Sequence, residues 1–305
     1  MPKYRPLAQY RAPYNYELAG KSFHLMMDDG SELSLVFLDG ENFQWAEKGK
    51  AYVWDSYACL KADDTTYFVH TAPAIYAGKV NYCLVLDLLQ GLVTEVKTIE
   101  GEFPEYPQLI RVRPLFGAIK YPGRPLSEKR HSFNNAMTGR RITWHYNPGF
   151  SIQHIYYSPT FYRLPKYDLE GAKRQYAVTT DPEEKTRLKG YIDRFERCIG
   201  AYPFGEEPCF HIAINDHLNL FAFCEENEII YDPLHQVGGG GLILLQDIDR
   251  LTDVGLSYCL NEYYMVTAYG VEGFVPDEVE AVKTPYDNSN LRSIPAIYDI
   301  HFDES

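Results

Sequence analysis

Residues 139–164, GRRITWHYNPGFSIQHIYYSPTFYRL, read as strand, tight turn and strand, with Asn147-Pro148-Gly149 supplying turn residues between runs of β-branched and aromatic side chains. Residues 20–45, GKSFHLMMDDGSELSLVFLDGENFQW, repeat that grammar. Gly20, Phe23, Gly30 and Phe37 match Gly139, Ile142, Gly149 and Tyr156 at a constant offset of 119 (139 − 20 = 119). The chain therefore reads as a duplication. A hairpin cannot bury its inner face alone, so each copy is expected to open a sheet or barrel of its own. Alternation turns Phe23, Leu25 and Met27 inward in the first copy and Ile142, Trp144 and Tyr146 in the second. Only the second set carries groups for polar recognition.

The 305 residues are enough for two domains of ordinary size. Aromatic side chains make up 15% of the chain, 26 of them tyrosines, which favours strands and stacking pockets over a helical bundle. A formal net charge of −13 excludes nucleic acid and anionic membrane as general partners, because both would repel it. The N-terminus has no apolar core of signal-peptide length and no run approaches a membrane span, so a cytoplasmic protein is expected. Six scattered cysteines without a CxxC pair read as buried free thiols.

Along the chain, residues 1–19 form an arm draped over the first domain, and residues 20–103 a first barrel of short strands separated by Asp-Asp-Gly, Asp-Gly and Gln-Gly turns. Residues 104–138, punctuated by Pro104, Pro107, Pro114, Pro122 and Pro125, read as the interdomain connection, with room for a strand at 109–112. A second barrel spans 139–274. It contains one helix at 182–198, announced by Thr180-Asp181-Pro182-Glu183-Glu184 and by Leu188, Ile192, Phe195 and Ile199 at helical spacing. Its later strands include one at 228–232. Residues 275–305 form a proline-containing polar tail. The fold class is thus mainly β: two tandem antiparallel barrels, the second with an inserted helix.

Tyr157-Ser158-Pro159, Leu220-Phe221-Ala222-Phe223-Cys224-Glu225, and Asp232 followed by Gly240-Gly241-Leu242-Ile243 and Asp247 resemble the molybdenum cofactor biosynthesis protein F (MoaF) family. That resemblance implies lipocalin-like (calycin) barrels similar to those of the phenolic acid decarboxylases. It spans about residues 20–99 and 139–262. The family's Glu-Lys after the Phe-x-Trp is Glu225-Glu226 here, which removes a cation from the mouth. By comparison with the decarboxylase pocket, the polar positions fall on Trp144, Tyr146, Tyr162 and Glu225 in the second copy. In the first copy they fall on Leu25, Met27, Phe43 and Ala72.

The chemistry is accordingly expected in the second barrel. Glu225 ends an apolar strand, where desolvation raises a carboxyl's pKa and suits it to proton transfer. A solvated strand-end acid is the competing reading. Tyr146 and Tyr162 are candidate hydrogen-bond donors to a developing oxyanion, and His154, inward by alternation, is a candidate proton shuttle. Each also reads, and more commonly, as a satisfied core residue. Trp144, Tyr156, Ile152 and Phe223 are the expected walls, with Arg163 beside Tyr162 but offset to the opposite face. His211, Asp216, His217 and His235 fit no metal-ligand spacing, so no metal is expected. No cofactor is expected either, since no dinucleotide or phosphate-loop signature occurs.

Three functions follow from this reading. The first is a cofactor-independent enzyme of lyase, decarboxylase, isomerase or cyclase type, acting on a small aromatic or polycyclic oxygenated ligand. The second is a non-catalytic carrier, for example of a pterin. A protein-interaction role for exposed tyrosines is a third, and a homodimer is left open.

Overall fold

The fold is taken from a computed structural model, which describes residues 6–101, 110–147, 150–156, 158–165, 173, 176–198, 204–224, 240–259 and 262–273. It is mainly β, with two antiparallel sheets of nine strands each. The first holds β1 (Ser22–Met27), β2 (Glu32–Phe37), β3 (Asn42–Glu47), β4 (Val53–Ser56), β5 (Ala58–Lys61), β6 (Thr66–Thr71), β7 (Val80–Asp87), β8 (Leu92–Glu100) and β9 (Ile110–Ile119). Their spatial order is β4-β3-β2-β1-β9-β8-β7-β6-β5. The two edge strands are one run of chain bent at Tyr57, whose hydroxyl donates to the Asp39 carbonyl at 2.7 Å. The sheet thus curls until its edges meet.

The second sheet holds β10 (Ser132–Phe133), β11 (Arg140–Asn147), β12 (Phe150–Tyr156), β13 (Phe161–Pro165), β14 (Phe204–Ala213), β15 (Leu218–Cys224), β16 (Gly240–Asp247), β17 (Thr252–Cys259) and β18 (Glu262–Gly273). Strands β11 to β18 pair in chain order, β18 returns to β11, and β14 pairs with β15, which makes a closed ring of eight. Helix α1 (Pro182–Cys198) lies between β13 and β14. Its first turn is capped by Asp181, whose carboxylate accepts from Glu183 N at 3.0 Å.

Three apolar clusters hold the molecule together. One fills the first barrel, around Leu25, Leu35, Phe37, Phe43, Trp45 and Leu84. One fills the second, around Trp144, Tyr146, Tyr156, Tyr162 and Phe221. The third lies between the barrels, where Phe68, Val85, Val96 and Val112 meet Phe210, Leu220, Ile243 and Leu256. The strand patterns follow from this. β1 and β2 alternate buried and exposed because their outer face is wet, whereas every residue of β6 and β15 is buried because one face fills a barrel and the other meets the sibling barrel.

Two expectations are corrected. Residues 110–119, assigned to the connection 104–138, are a full strand of the first barrel, paired with both β8 and β1. The arm also serves both barrels. Leu7 packs on the interior cluster of the second, Tyr10 N donates to the Tyr146 carbonyl at 3.1 Å, Ala12 lies on the shared cluster, and Leu18 is fully buried in the first. The strand expected at 228–232 and the tail 275–305 lie outside the described residues.

Candidate functional site

The second barrel brings Trp144, Tyr146, Ile152, His154, Tyr156, Tyr162 and Phe223 into one interior cluster. Strand alternation does this, with Trp144 and Tyr146 from β11, Ile152, His154 and Tyr156 from β12, Tyr162 from β13 and Phe223 from β15. His154 is wholly buried, its ring centroid 4.8 Å from Tyr162, 5.3 Å from Phe221 and 5.8 Å from Phe223. Glu225 lies outside the described residues, as do His235 and the side chain of Arg163.

A hydrogen-bond network fixes how these groups are protonated. The Tyr156 hydroxyl oxygen accepts from Trp144 Nε1 and from Gln246 Nε2, each at 3.0 Å. With both acceptor directions used, its own proton is left for His154 Nδ1, 3.2 Å away. His154 Nδ1 is therefore an acceptor, and burial holds the imidazole neutral by pushing its pKa down to about 3. The ring's one proton must then sit on Nε2. That N–H is buried and has no acceptor among the described residues. Neutral His154 is thus an unpartnered hydrogen-bond donor packed among the rings of Tyr162, Phe221 and Phe223.

Sequence reasoning missed the rest of the network. Asn134 Nδ2 donates to Asn219 Oδ1 at 3.0 Å, and Asn219 Nδ2 donates to His211 Nδ1 at 3.1 Å and to Gln246 Oε1 at 3.4 Å. His211 Nε2 then faces Cys209 Sγ at 3.8 Å. Burial pushes the His211 pKa down to about 3 and the Cys209 thiol well up, so this pair is neutral. Among the described residues no cluster of three or more His, Cys, Asp or Glu is placed to hold a metal ion.

Asp253 is the second omission. Its carboxylate accepts from Ala268 N at 2.7 Å and from the Tyr146 hydroxyl at 3.2 Å. Burial outweighs both bonds and pushes its pKa up to about 7. Asp253 also faces Gln246 directly across the β16–β17 ladder, which places it beside the Tyr156 network. In the strand TDVGLSYC, Asp253 and Ser257 share one face and Val254, Leu256 and Tyr258 the other, a pattern that by itself reads as a solvent-facing acid.

The interior of the first barrel is lined mainly by apolar side chains. Leu25, Met27, Leu35 and Phe37 are buried, but a cavity of about 20 Å³ remains among Leu33, Leu35, Phe43, Trp45, Val69 and Tyr82. The interior is not wholly apolar. Glu95, 3% exposed, stands opposite Leu84 and pairs with Lys97 Nζ at 3.1 Å, and burial raises its pKa.

Residues 7–105 match the family model described as the MoaF N-terminal domain. Over these residues, about a third of its length, the chain is similar to the MoaF family. The MoaF match covers residues 7–19 of the arm and β1 to β8, and ends before β9. Among curated proteins no significant match was found. Among solved structures the chain is similar to a Burkholderia vietnamiensis protein provisionally named a beta-lactamase, at 18% identity and a TM-score of 0.27, covering 36% of this chain and 97% of that one. No helix among the described residues is long and apolar enough to cross a membrane.

Proposed function

We propose that the second barrel takes up a small aromatic, oxygen-bearing molecule and acts on it by proton transfer, without a dissociable cofactor, as a MoaF-like double-barrel protein. The observation that carries this reading is the orphaned Nε2–H of His154. A buried donor without an acceptor costs free energy, and a ligand oxygen at that point would satisfy it. The rings of Tyr162, Phe221 and Phe223 around it favour a flat partner.

In this reading His154 is not a base. It holds and polarises a carbonyl, carboxylate or phenolate oxygen, as a neutral imidazole N–H suits a developing oxyanion. Asp253, brought near neutrality and hydrogen-bonded to Tyr146, supplies a proton donor and acceptor beside the Tyr156 network. Glu225, two residues beyond Phe223 in sequence, is retained as a second acid or base. The alternative of a non-catalytic carrier, for example of a pterin, draws on the matched network around Tyr156, which positions groups without ionising them.

Calorimetric titration with 4-hydroxycinnamate and with a pterin, followed by mass analysis of the incubated mixtures, tests both readings. His154→Phe keeps the ring and deletes the donor, and is expected to weaken binding at least tenfold. Asp253→Asn and Glu225→Gln are expected to keep binding and lose turnover. Binding that ignores His154→Phe refutes the proposed contact. Bound ligand that is never transformed by the unmodified protein selects the carrier.

A further inference from the structure

The cavity of the first barrel occupies, position for position, the place of the aromatic cluster around His154 in the second. Leu33, Leu35 and Phe37 of β2 stand where Ile152, His154 and Tyr156 stand on β12, and Phe43 stands where Tyr162 does. Val69 and Thr71 of β6 take the places of Phe221 and Phe223 on β15, as the equivalent ladders with β7 and β16 show. The exchanges are of two kinds. Histidine to leucine and tyrosine to phenylalanine, twice, remove the polar heads. Phenylalanine to valine and to threonine remove ring volume, and the cavity is lined by these two residues.

The void thus has a polarity opposite to its sibling's. Its wall is aliphatic and aromatic, and the Thr71 hydroxyl is spent on the Ser56 carbonyl at 2.8 Å. Of the charges near it, Glu95 pairs with Lys97 and Glu47 with Lys50, while the Asp55 carboxylate is spent on Trp45 Nε1 and Ala74 N. A charged ligand would find no counter-charge unspent among these groups, whereas an uncharged apolar one needs none. A void of about 20 Å³ holds roughly one water, and an apolar wall gives that water nothing to bind. Entry of a ring therefore requires the lining side chains to move apart. Pro73 lines the cavity from the β6–β7 connection. That connection is tied down by Ala74 N to the Asp55 carboxylate at 3.2 Å and by the Tyr76 hydroxyl to Glu47 at 3.1 Å. It ends at Ala77 and Gly78, both in the left-handed region at φ 52° and 79°.

We propose that the first barrel is a second, independent ligand chamber, selective for an uncharged apolar molecule of aromatic or alkyl type. The probe is N-phenyl-1-naphthylamine, neutral and fluorescent in apolar surroundings, titrated into the full chain. Saturable brightening is expected. It should weaken at least tenfold in Val69→Phe, which restores the ring found at Phe221, and remain unchanged in His154→Phe. The anionic 1-anilinonaphthalene-8-sulfonate should bind at least tenfold less tightly.

No brightening in the unmodified protein overturns the proposal. So does equal binding in Val69→Phe, loss of binding in His154→Phe, or equal binding of the anionic probe. If Val69→Phe loses its fold by circular dichroism, Thr71→Phe, which copies the ring at Phe223, takes its place. Amide exchange gives a location without any substitution: the neutral probe should slow exchange in β2 and β6, and slowing confined to β12 and β15 would refute the site.

Discussion

Replacing Asp253 by asparagine should change how stability depends on pH. A carboxyl that ordinarily titrates at 3.8 is pushed up to about 7 by burial in the second barrel. Its folded pKa lies above its unfolded one, so below about pH 4 both states carry the proton and nothing is lost. From about pH 4 to about pH 7 the unfolded chain ionises while the folded chain cannot, and stability falls by about 1.4 kcal/mol per pH unit. Over that window the loss is roughly 4 kcal/mol, and above about pH 7 it stops growing. Since Asp253 is only 1% exposed, solvent screening does not reduce the figure. Asparagine keeps an oxygen for Ala268 N, and the Tyr146 hydroxyl can turn to accept from the new amide. The assay is urea unfolding of both proteins at half-unit steps from pH 4 to pH 8.5. The difference in unfolding free energy should move in favour of the variant by several kcal/mol as pH rises, then level off. A difference that stays flat refutes the inference that Asp253 is protonated in the fold.

Tyr156→Phe should cost about 3 kcal/mol in the same unfolding assay, because Trp144 Nε1–H and Gln246 Nε2–H would both lose a buried acceptor. It should also free the His154 tautomer, which nitrogen-15 chemical shifts of the imidazole would register as a departure from a single Nε2–H form. Leu18→Ala should cost about 2–5 kcal/mol, since Leu18 is fully buried in the first-barrel core, and a loss below about 1 kcal/mol by the same assay would show that the arm does not seal that barrel.

The duplication was legible because strand and turn chemistry is local. The offset found between residues 20–45 and 139–164 holds for the first three strands of each barrel, and it grows only beyond the inserted helix. The helix was legible for the same reason, with a cap, an N-terminal proline and a 3.6-residue period all within one segment. β9 was obscured by Pro114, which pairs with Val96 inside the sheet although proline usually marks a break. Asp253 and Gln246 were missed for a deeper reason. On β17 the residues facing the barrel interior are Asp253 and Ser257, while Val254, Leu256 and Tyr258 face the sibling barrel. Alternation identifies two faces of a strand but not which of two cores each face meets. A rule that sends the apolar face inward therefore inverts the strand. The unbroken apolar runs of β7, β15 and β16 were the sign that both faces would be covered.

The shared cluster between the barrels also explains how the two interiors could diverge. Cohesion of the pair rests on outward-facing side chains such as Phe68, Val85, Leu220 and Leu256, and these contribute nothing to either interior. Inward positions are correspondingly released from holding the molecule together. One interior can then accommodate a buried carboxyl near neutrality and an unspent imidazole N–H, each a net cost to folding, while its sibling accommodates a void. Groups that weaken a fold persist in it when something outside the fold uses them. On that argument the donor at His154 and the space beside Val69 are the two places in this molecule where a ligand is most to be sought, and they ask for ligands of opposite polarity.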